Sequence, residues 1–352
     1  VSNGPAKFAN ILVKNKINDF EVKILTEDIE NSSPDVYKLF ISEKQKKSKF
    51  SQFIRMYLYY RKAMFIRKEF KYDYIVFNNA IIGLISAFFF KNTIGMINDD
   101  NNACISYRSL FLGKSKFNKH YIFKIFEFIF VHISKRTIVN SNYLKNIINK
   151  EYKVSNNKLY VLYKGLEDEL VVFDRNTLIK KVKQSILFVK NDYKRGGLIT
   201  LIDAISLLPF SVKLTLVGPP SDLKSNILAK ASNISELLIY NYLDQKAVYE
   251  LMKTHEVFCV PSYLEAFGVA NLEATALGCK IVSAKVGGIP EALDGLKTSW
   301  LIESHQPEEL KNLLLKAFDV DIKNEIESIN QFLRKYSATD LCKNFKAGIE
   351  II

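Results

Sequence analysis

The feature that most constrains this chain is a regular beat in its second half. Short apolar runs rich in β-branched residues recur at Ser185–Val189, Lys213–Val217, Leu237–Tyr240, Val257–Val260, Lys280–Ala284 and Ser299–Ile302. Their first residues lie 28, 24, 20, 23 and 19 positions apart. Between them the apolar residues switch to a helical period, as in Leu198–Leu208 and Gln245–Thr254. Strands alternating with helices at this spacing build a parallel, doubly wound sheet. The strands read as nearly unbroken apolar runs, as required when helices cover both faces.

The first half repeats the theme less regularly, with strands expected at Phe20–Leu25, Tyr74–Phe77, Thr93–Ile97, Thr137–Asn140 and Leu159–Leu162. A chain of 352 residues is long enough for two domains. The expected division is residues 1–168, then 169–336, joined near Glu167–Gln184, with a terminal helix over 337–352. The chain opens with Val1–Ser2, a turn at Asn3-Gly4-Pro5 and a helix over Ala6–Val13. That is a strand–loop–helix unit without its strand, so the expectation is that residues precede Val1. The fold class is therefore α/β, with two Rossmann-like halves.

Composition narrows the function. Hydrophobic residues make up 48% and charged residues 25%, which excludes disordered and fibrous classes. Cys104, Cys259, Cys279 and Cys342 are far apart and form no C-x-x-C pair, which argues against a zinc ribbon or disulfide scaffold and for a reducing compartment. The apolar run Ala80–Phe90 has 11 residues, too short to cross a bilayer. The first residues lack the form of a secretory signal, so a cytoplasmic location is expected.

The net charge of +13 is unevenly placed: residues 1–168 hold 28 Lys+Arg against 15 Asp+Glu, and residues 169–352 hold 22 of each. A basic half implies an anionic partner, whether nucleic acid, phosphorylated substrate or membrane surface. A Lys-rich composition explains the lysines but not the balance of the second half. No helix-turn-helix, zinc finger or RNP-type motif accompanies the charge, so nucleic acid is not expected.

Eight of the 14 glycines fall between Gly196 and Gly295, and most follow expected strands. Ligands of open parallel sheets bind at the carboxyl ends of the strands, where glycine lets backbone N–H groups approach. The densest signal is the segment Pro261–Ala274, which runs from the Val257–Val260 strand through a loop into a helix. Glu265 lies on the loop and Glu273 eight positions later on the helix. Gly268 precedes the helix start, where N–H groups favour an anion. The two carboxylates can accept hydrogen bonds from vicinal hydroxyls of a sugar or ribose; a helix cap and an exposed helical residue are the plainer alternative.

This segment resembles the E-x7-E signature of the retaining glycosyltransferases of family 4, which have the GT-B fold: two Rossmann-like domains facing across a cleft. The resemblance extends through Leu216-Val217-Gly218, Gly278, Ala284–Glu291 and Phe188–Gly197, and more weakly through Asn140–Tyr143 and Lys164–Glu167. It implies that Glu265 contacts hydroxyls of a donor sugar and Glu273 holds the ribose of its nucleotide. Phe267, Gly268 and Val269 would offer backbone N–H groups to the sugar and phosphates. Lys194 and Arg195 would neutralise the diphosphate, and Asn241–Leu243, including Tyr242 and Leu243, would meet the base. Gly4 resembles the glycine that faces the phosphates from the first domain, and the terminal helix would return to that domain. The implied donor is a nucleotide-diphosphate sugar, UDP before GDP, with no metal or other cofactor required.

Two positions depart from the family. Its Gly-Arg pair after the first strand of the second domain is here Lys190-Asn191, so the phosphate grip falls either partly to Lys190 or entirely to Lys194 and Arg195. Its histidine after a first-domain strand falls near Asn98, so Asp99 or Asp100 is the candidate for a polar role near the reacting centre, against an ordinary Asx turn. His120, His132, His255 and His305 have no metal-ligand spacing and read as structural or surface residues. In Phe50–Tyr74, basic residues interleave with aromatic ones, predicting a helix with an aromatic stripe and a basic face. Such a helix suits either an anionic membrane surface or simple packing on the sheet. Tyr121–Arg136 is apolar enough to be core.

The reading is a hexosyl- or N-acetylhexosaminyl-transferase acting on a bacterial surface-glycan or lipid-linked acceptor. The alternatives are a catalytically degenerate GT-B protein and a non-catalytic binder of anionic partners. A phosphorylase lacks its pyridoxal-phosphate lysine motif here, and an epimerase would leave the two glutamates unexplained.

Overall fold

The computed structural model describes residues 4–15, 20–27, 35–107, 118–174, 176, 178 and 180–350. The chain forms two compact units, one of residues 3–163 and 341–352, the other of residues 164–340, apart from the first two residues.

In the first unit, α1 (Gly4–Lys14) is followed by β1 (Ile24–Thr26) and β2 (Val36–Lys38), a short parallel pair. Gly4 is thus the first residue of a helix rather than part of a turn, and Asn3 lies outside the described residues. The expected strand over Phe20–Leu25 pairs only from Ile24, and β2 was not anticipated. Helices α2 (Glu43–Lys47) and α3 (Ser51–Glu69) follow. The cap of α2 is a full capping box: Gln45 N–H donates to Ser42 Oγ at 3.3 Å and Ser42 N–H to Gln45 Oε1 at 3.0 Å.

The main sheet of this unit is β3 (Ile75–Phe77), β4 (Thr93–Ile97), β5 (Arg136–Val139) and β6 (Leu159–Val161), all parallel and in chain order. The crossovers are α4 (Leu84–Phe89), α5 (Lys119–Ile133) and α6 (Asn142–Tyr152). Every residue of β4 is buried. Gly95 within it is required because the Phe130 ring of α5 lies over it: a Cβ there would stand 2.3 Å from that ring.

The second unit holds β7 (Val182–Val189), β8 (Val212–Val217), β9 (Ile234–Tyr240), β10 (His255–Val260), β11 (Lys280–Ala284) and β12 (Ser299–Ile302). All pair in parallel, in the order β12-β11-β10-β7-β8-β9. Its helices are α7 (Leu198–Ser206), α8 (Lys224–Lys230), α9 (Gln245–Thr254), α10 (Val269–Ala276), α11 (Ile289–Ala292), α12 (Pro307–Asp319) and α13 (Ile326–Arg334). The chain winds outward from β7 to β9, then returns to lay β10 beside β7, with Val257 opposite Ile186 and Phe258 opposite Leu187. The winding direction therefore reverses between β7 and β10, the position at which open α/β sheets bind ligands.

The core around this sheet includes Phe188, Leu216, Phe258 and Leu272, all inaccessible to solvent. Lys181 staples its floor: the buried ammonium donates to the carbonyls of Met252, His255 and Leu277 at 2.6, 2.9 and 2.8 Å. Burial lowers its pKa, and three carbonyl acceptors offset the desolvation.

The last helix is α14 (Ala338–Glu350), and from Leu341 it belongs to the first unit. There the Phe345 ring meets Phe8 of α1 edge-on at 5.5 Å, and Tyr160 donates its hydroxyl to Asn344 O at 2.9 Å. Arg136 donates to Gly348 O at 2.7 Å. Among the described residues, no helix is long and apolar enough to cross a membrane.

Candidate active site

Three loops of the second unit, after β7, β10 and β11, converge at the carboxyl ends of its central strands. The loop after β7, Lys190–Gly197, folds on itself. Asp192 accepts Arg195 N–H on Oδ1 at 3.1 Å and Gly196 N–H on its carbonyl at 2.8 Å, while Lys194 O accepts Gly197 N–H at 3.2 Å. This compact turn leaves Lys194 and Arg195 exposed side by side. The β10 loop is tied to it twice, by Tyr263 N–H donating to Arg195 O at 2.8 Å and by a 2.8 Å hydrogen bond between Thr200 and Tyr263 hydroxyls.

Two glycines make this approach possible. Gly197 has φ 75°, and a Cβ there would lie 2.2 Å from Pro261 O; at Gly287, φ 58°, it would lie 1.7 Å from Glu265 O. No other residue type fits either position without moving backbone. The same Glu265 carbonyl accepts Gly288 N–H at 3.2 Å, so the β11 loop holds the main chain of Glu265 directly. Its carboxylate pairs with Lys190 across the switch point, Oε2 to Nζ at 2.5 Å, both side chains about a quarter exposed (24% and 27%). The reading in which Lys190 carries part of the cationic grip thus meets a lysine already joined to the glutamate of the motif.

Gly268, with φ 86°, caps α10, whose first residue is Val269. Phe267 is buried, with its ring 6.2 Å from that of Tyr336, so at this position the side chain packs the core. Glu273 is buried on α10, where it accepts the Tyr249 hydroxyl of α9 at 2.9 Å on Oε1. It is not the exposed helical residue of the plainer alternative. Tyr242 is 70% exposed just after β9, and Leu243 packs partly against the core.

The first-unit candidates stand in a different setting. Asn98, Asn78 and Asn140 each follow the last residue of a strand, and their amides lace the strand ends together: Asn98 Nδ2 donates to Asn78 O at 2.8 Å and Asn140 Nδ2 to Asn98 O at 2.9 Å. Asp99 Oδ1 accepts Asn101 N–H at 3.0 Å, an Asx turn. Asp100 is buried and accepts the Tyr143 hydroxyl at 3.1 Å, which gives it a structural task. Gly4, Asn98 and Asp99 belong to the first unit; Lys190, Lys194, Arg195, Tyr242, Leu243, Glu265, Phe267, Gly268, Val269 and Glu273 belong to the second.

Several participants left little trace in the sequence. His305 stacks on Tyr263 at 4.5 Å and donates from Nε2 to Ser262 O at 2.9 Å, bracing the β10 loop. His255, in contrast, is a core residue bonded to Leu251 O and Thr215 Oγ1, and burial lowers its pKa. In the first unit, Glu127 lies inside α5, accepting Asn102 Nδ2 at 2.7 Å and the Tyr152 hydroxyl at 2.8 Å. Burial pushes its carboxyl up to about 7. The apolar run of α5 hid this polar centre, and Ile125 and Phe128 on the same helix are exposed rather than core. In α3 the buried side chains are Met56, Ala63 and Ile66, so Phe53, Tyr57, Arg61, Phe65 and Lys68 share the solvent face. The predicted separation into aromatic stripe and basic face is replaced by one mixed surface.

Comparison with known proteins places this parallel two-unit α/β architecture, with its glycine-lined loops at a switch point, among glycosyltransferases. Residues 9–170 match the model described as Glycosyltransferase Family 4, and residues 172–331 match Glycosyl transferases group 1. The chain belongs to glycosyltransferase family 4 and has the GT-B fold. An uncharacterized glycosyltransferase of Methanocaldococcus jannaschii is 26% identical over 206 residues, 58% of this chain and 56% of that protein. The matched region thus spans little more than half of that relative's length. Among solved structures, HepE of Anabaena with UDP and glucose has a TM-score of 0.71 at 14% identity, covering 99% of this chain and 96% of that one. WaaG, a glycosyltransferase involved in lipopolysaccharide biosynthesis, has a TM-score of 0.68 at 17% identity, with coverage of 99% and 96%.

Proposed function

We propose that the protein is a retaining, metal-independent hexosyl- or N-acetylhexosaminyl-transferase that moves a sugar from a UDP-sugar to a surface-glycan or lipid-linked acceptor of a bacterium. The observation that carries the reading is the convergence of Lys190, Lys194, Arg195 and Glu265 at the switch point of the second unit. HepE's capture with UDP-glucose supports UDP as the nucleotide.

In this reading Glu273 accepts the ribose hydroxyls, and Tyr242 and Leu243 meet the base. Lys194 and Arg195 hold the diphosphate, together with the N–H groups of Phe267, Gly268 and Val269 at the start of α10. Glu265 accepts hydroxyls of the sugar and keeps Lys190 directed at the phosphates. The bond from the anomeric carbon to the diphosphate oxygen breaks, and the leaving group departs with the electron pair. Charge grows on that oxygen as the ring becomes oxocarbenium-like. Cations fixed beforehand lower this barrier more than they stabilise the bound donor. The acceptor oxygen then bonds the anomeric carbon on the face the diphosphate left and passes its proton to the departing diphosphate oxygen. Gly4, Asn98 and Asp99 are the first-unit positions assigned to the phosphates and acceptor.

The mixed aromatic and cationic face of α3 supports docking on an anionic membrane at the inner, cytoplasmic side. Arg61 lies 5.8 Å from the Tyr57 ring and Lys62 4.9 Å from the Phe65 ring, pairs suited to an interface of headgroups and acyl chains.

The test is thermal stabilisation by UDP-, GDP-, ADP- and dTDP-sugars, each with EDTA and with Mg²⁺. A ligand that binds only the folded chain raises its melting temperature. A shift with one UDP-sugar in EDTA, followed by NMR of the product's anomeric configuration, is the expected result. No shift with any nucleotide sugar sinks the donor assignment; an inverted anomer sinks the retaining one.

A further inference from the structure

The carboxylate of Glu273 is oriented from a neighbouring helix. Tyr249, in the middle of α9, donates its hydroxyl to Glu273 Oε1 at 2.9 Å, and Gln245, one turn earlier, donates from its amide to the same phenol oxygen. A phenol has one hydrogen and a carboxylate only acceptors, so the order of donation is fixed as amide, phenol, carboxylate. Linked bonds of this kind polarise one another, most strongly out of water, and Glu273 is buried. Burial and the adjacent carboxylate both raise the Tyr249 pKa, so the phenol keeps its hydrogen throughout the physiological range. The terminal torsion of a glutamate is soft, and a donor fixed on one oxygen sets the plane in which the other lies.

Helix α9 also has a second tie. Its N-cap is Asp244, whose side chain accepts Ala247 N–H at 2.8 Å, directly after Asn241–Leu243. One rigid element therefore anchors the segment assigned to the base and the group that orients Glu273. We propose that Tyr249 is a positioning residue that holds Glu273 for the ribose diol of the nucleotide, making the site selective for ribonucleotides over 2′-deoxyribonucleotides. This rests on the ribose role given to Glu273 above.

The experiment is calorimetric titration of UDP and 2′-deoxy-UDP, with GDP and 2′-deoxy-GDP in parallel, into the wild-type chain, Y249F, Q245A and E273Q. The wild type is expected to prefer the ribonucleotide about tenfold or more. Y249F should weaken UDP binding about fivefold and 2′-deoxy-UDP, which keeps only the 3′-hydroxyl, clearly less, with donor KM raised and kcat nearly constant. Q245A keeps the phenol and should give a smaller loss of the same kind; it carries the test if Y249F fails to fold. Equal weakening of both nucleotides in either variant would show a packing role and overturn the proposal, as would unchanged UDP affinity. E273Q separates the two ideas. If it closes the ribose gap and the Tyr249 and Gln245 variants do not, only the positioning proposal falls. If E273Q leaves the gap intact, or the wild type binds neither UDP nor GDP, the ribose reading itself is wrong.

Discussion

The two units close their strand ends by different means. In the second, glycines let one loop's backbone touch the next: Gly197 against Pro261 and Gly287 against Glu265. In the first, asparagine amides reach across, from Asn98 to Asn78 and from Asn140 to Asn98. A glycine closure leaves no room for a side chain, because a Cβ at either glycine would overlap the neighbouring carbonyl. An asparagine closure occupies polar side chains with structure. The lesson is that the loops of the second unit approach through their main chains, at Gly197 and Gly287, whereas in the first unit asparagine side chains are taken up by the closure itself.

The comparison breaks most readily at Gly287. G287A puts a Cβ onto the Glu265 carbonyl at positive φ, and the loop must move. The expected loss is about 4 kcal/mol or more, read as a collapse of the melting temperature, with no nucleotide stabilisation left. N98A, by contrast, should cost about 1–2 kcal/mol, the value of an amide bond left unmade. Similar losses for the two would erase the distinction between the closures.

Next in size is the paired change K194A/R195A. If these cations neutralise the leaving group as proposed, kcat should fall about a thousandfold, measured with labelled donor, while the melting temperature of the free protein changes little, because both residues are exposed. Near-normal turnover would move the cationic role to Lys190.

The first unit has its own titrating centre. Glu127 binds its proton more tightly folded, with a pKa of about 7, than unfolded, at an ordinary 4.5. Between these values the folded chain carries more protons, so stability falls as pH rises through the window and levels off above about 7. The loss is at most about 3 kcal/mol. Chemical denaturation from pH 4 to 8 should show that slope, and E127Q should flatten it. A slope unchanged in E127Q would assign it to other groups.

A similarly small stability effect is expected on α3. F53S/F65S alters side chains about half in solvent, so stability should change by about 0.5 kcal/mol or less. Sedimentation with phosphatidylglycerol vesicles should drop severalfold if this face docks on membrane; binding equal to the parent would end that reading.

The second unit was the more legible in sequence because its strands are longer. Its β7 runs eight residues and β9 seven, whereas β1, β2, β3 and β6 of the first unit have three each. β3 and β6 still read as apolar runs, at Tyr74–Phe77 and Leu159–Leu162, whereas Val36–Lys38 has a single aliphatic residue and gives no run, and only the end of Phe20–Leu25 pairs. Glycine-rich loops announce themselves locally, and Glu265 and Glu273 stood out by spacing. Tyr249 did not, because a tyrosine on an amphipathic helix reads as packing until the carboxylate it meets, 24 positions away, is in view.

What the sequence determined by itself is the alternation of strand and helix, the crowding of glycine after strands, and the charged residues beside it. These follow from local rules: period, backbone freedom and solvation. Only the tertiary structure decided that Lys190 pairs with Glu265, that Tyr249 bonds Glu273, that Glu127 sits in a polar pocket of an apolar helix, and that Phe53, Tyr57 and Phe65 of α3 face outward beside Arg61 and Lys68. Each depends on which strand lies beside which and which helix face meets the sheet, and contacts between residues far apart in the chain are set by the packing of the whole unit rather than by the residues at either end.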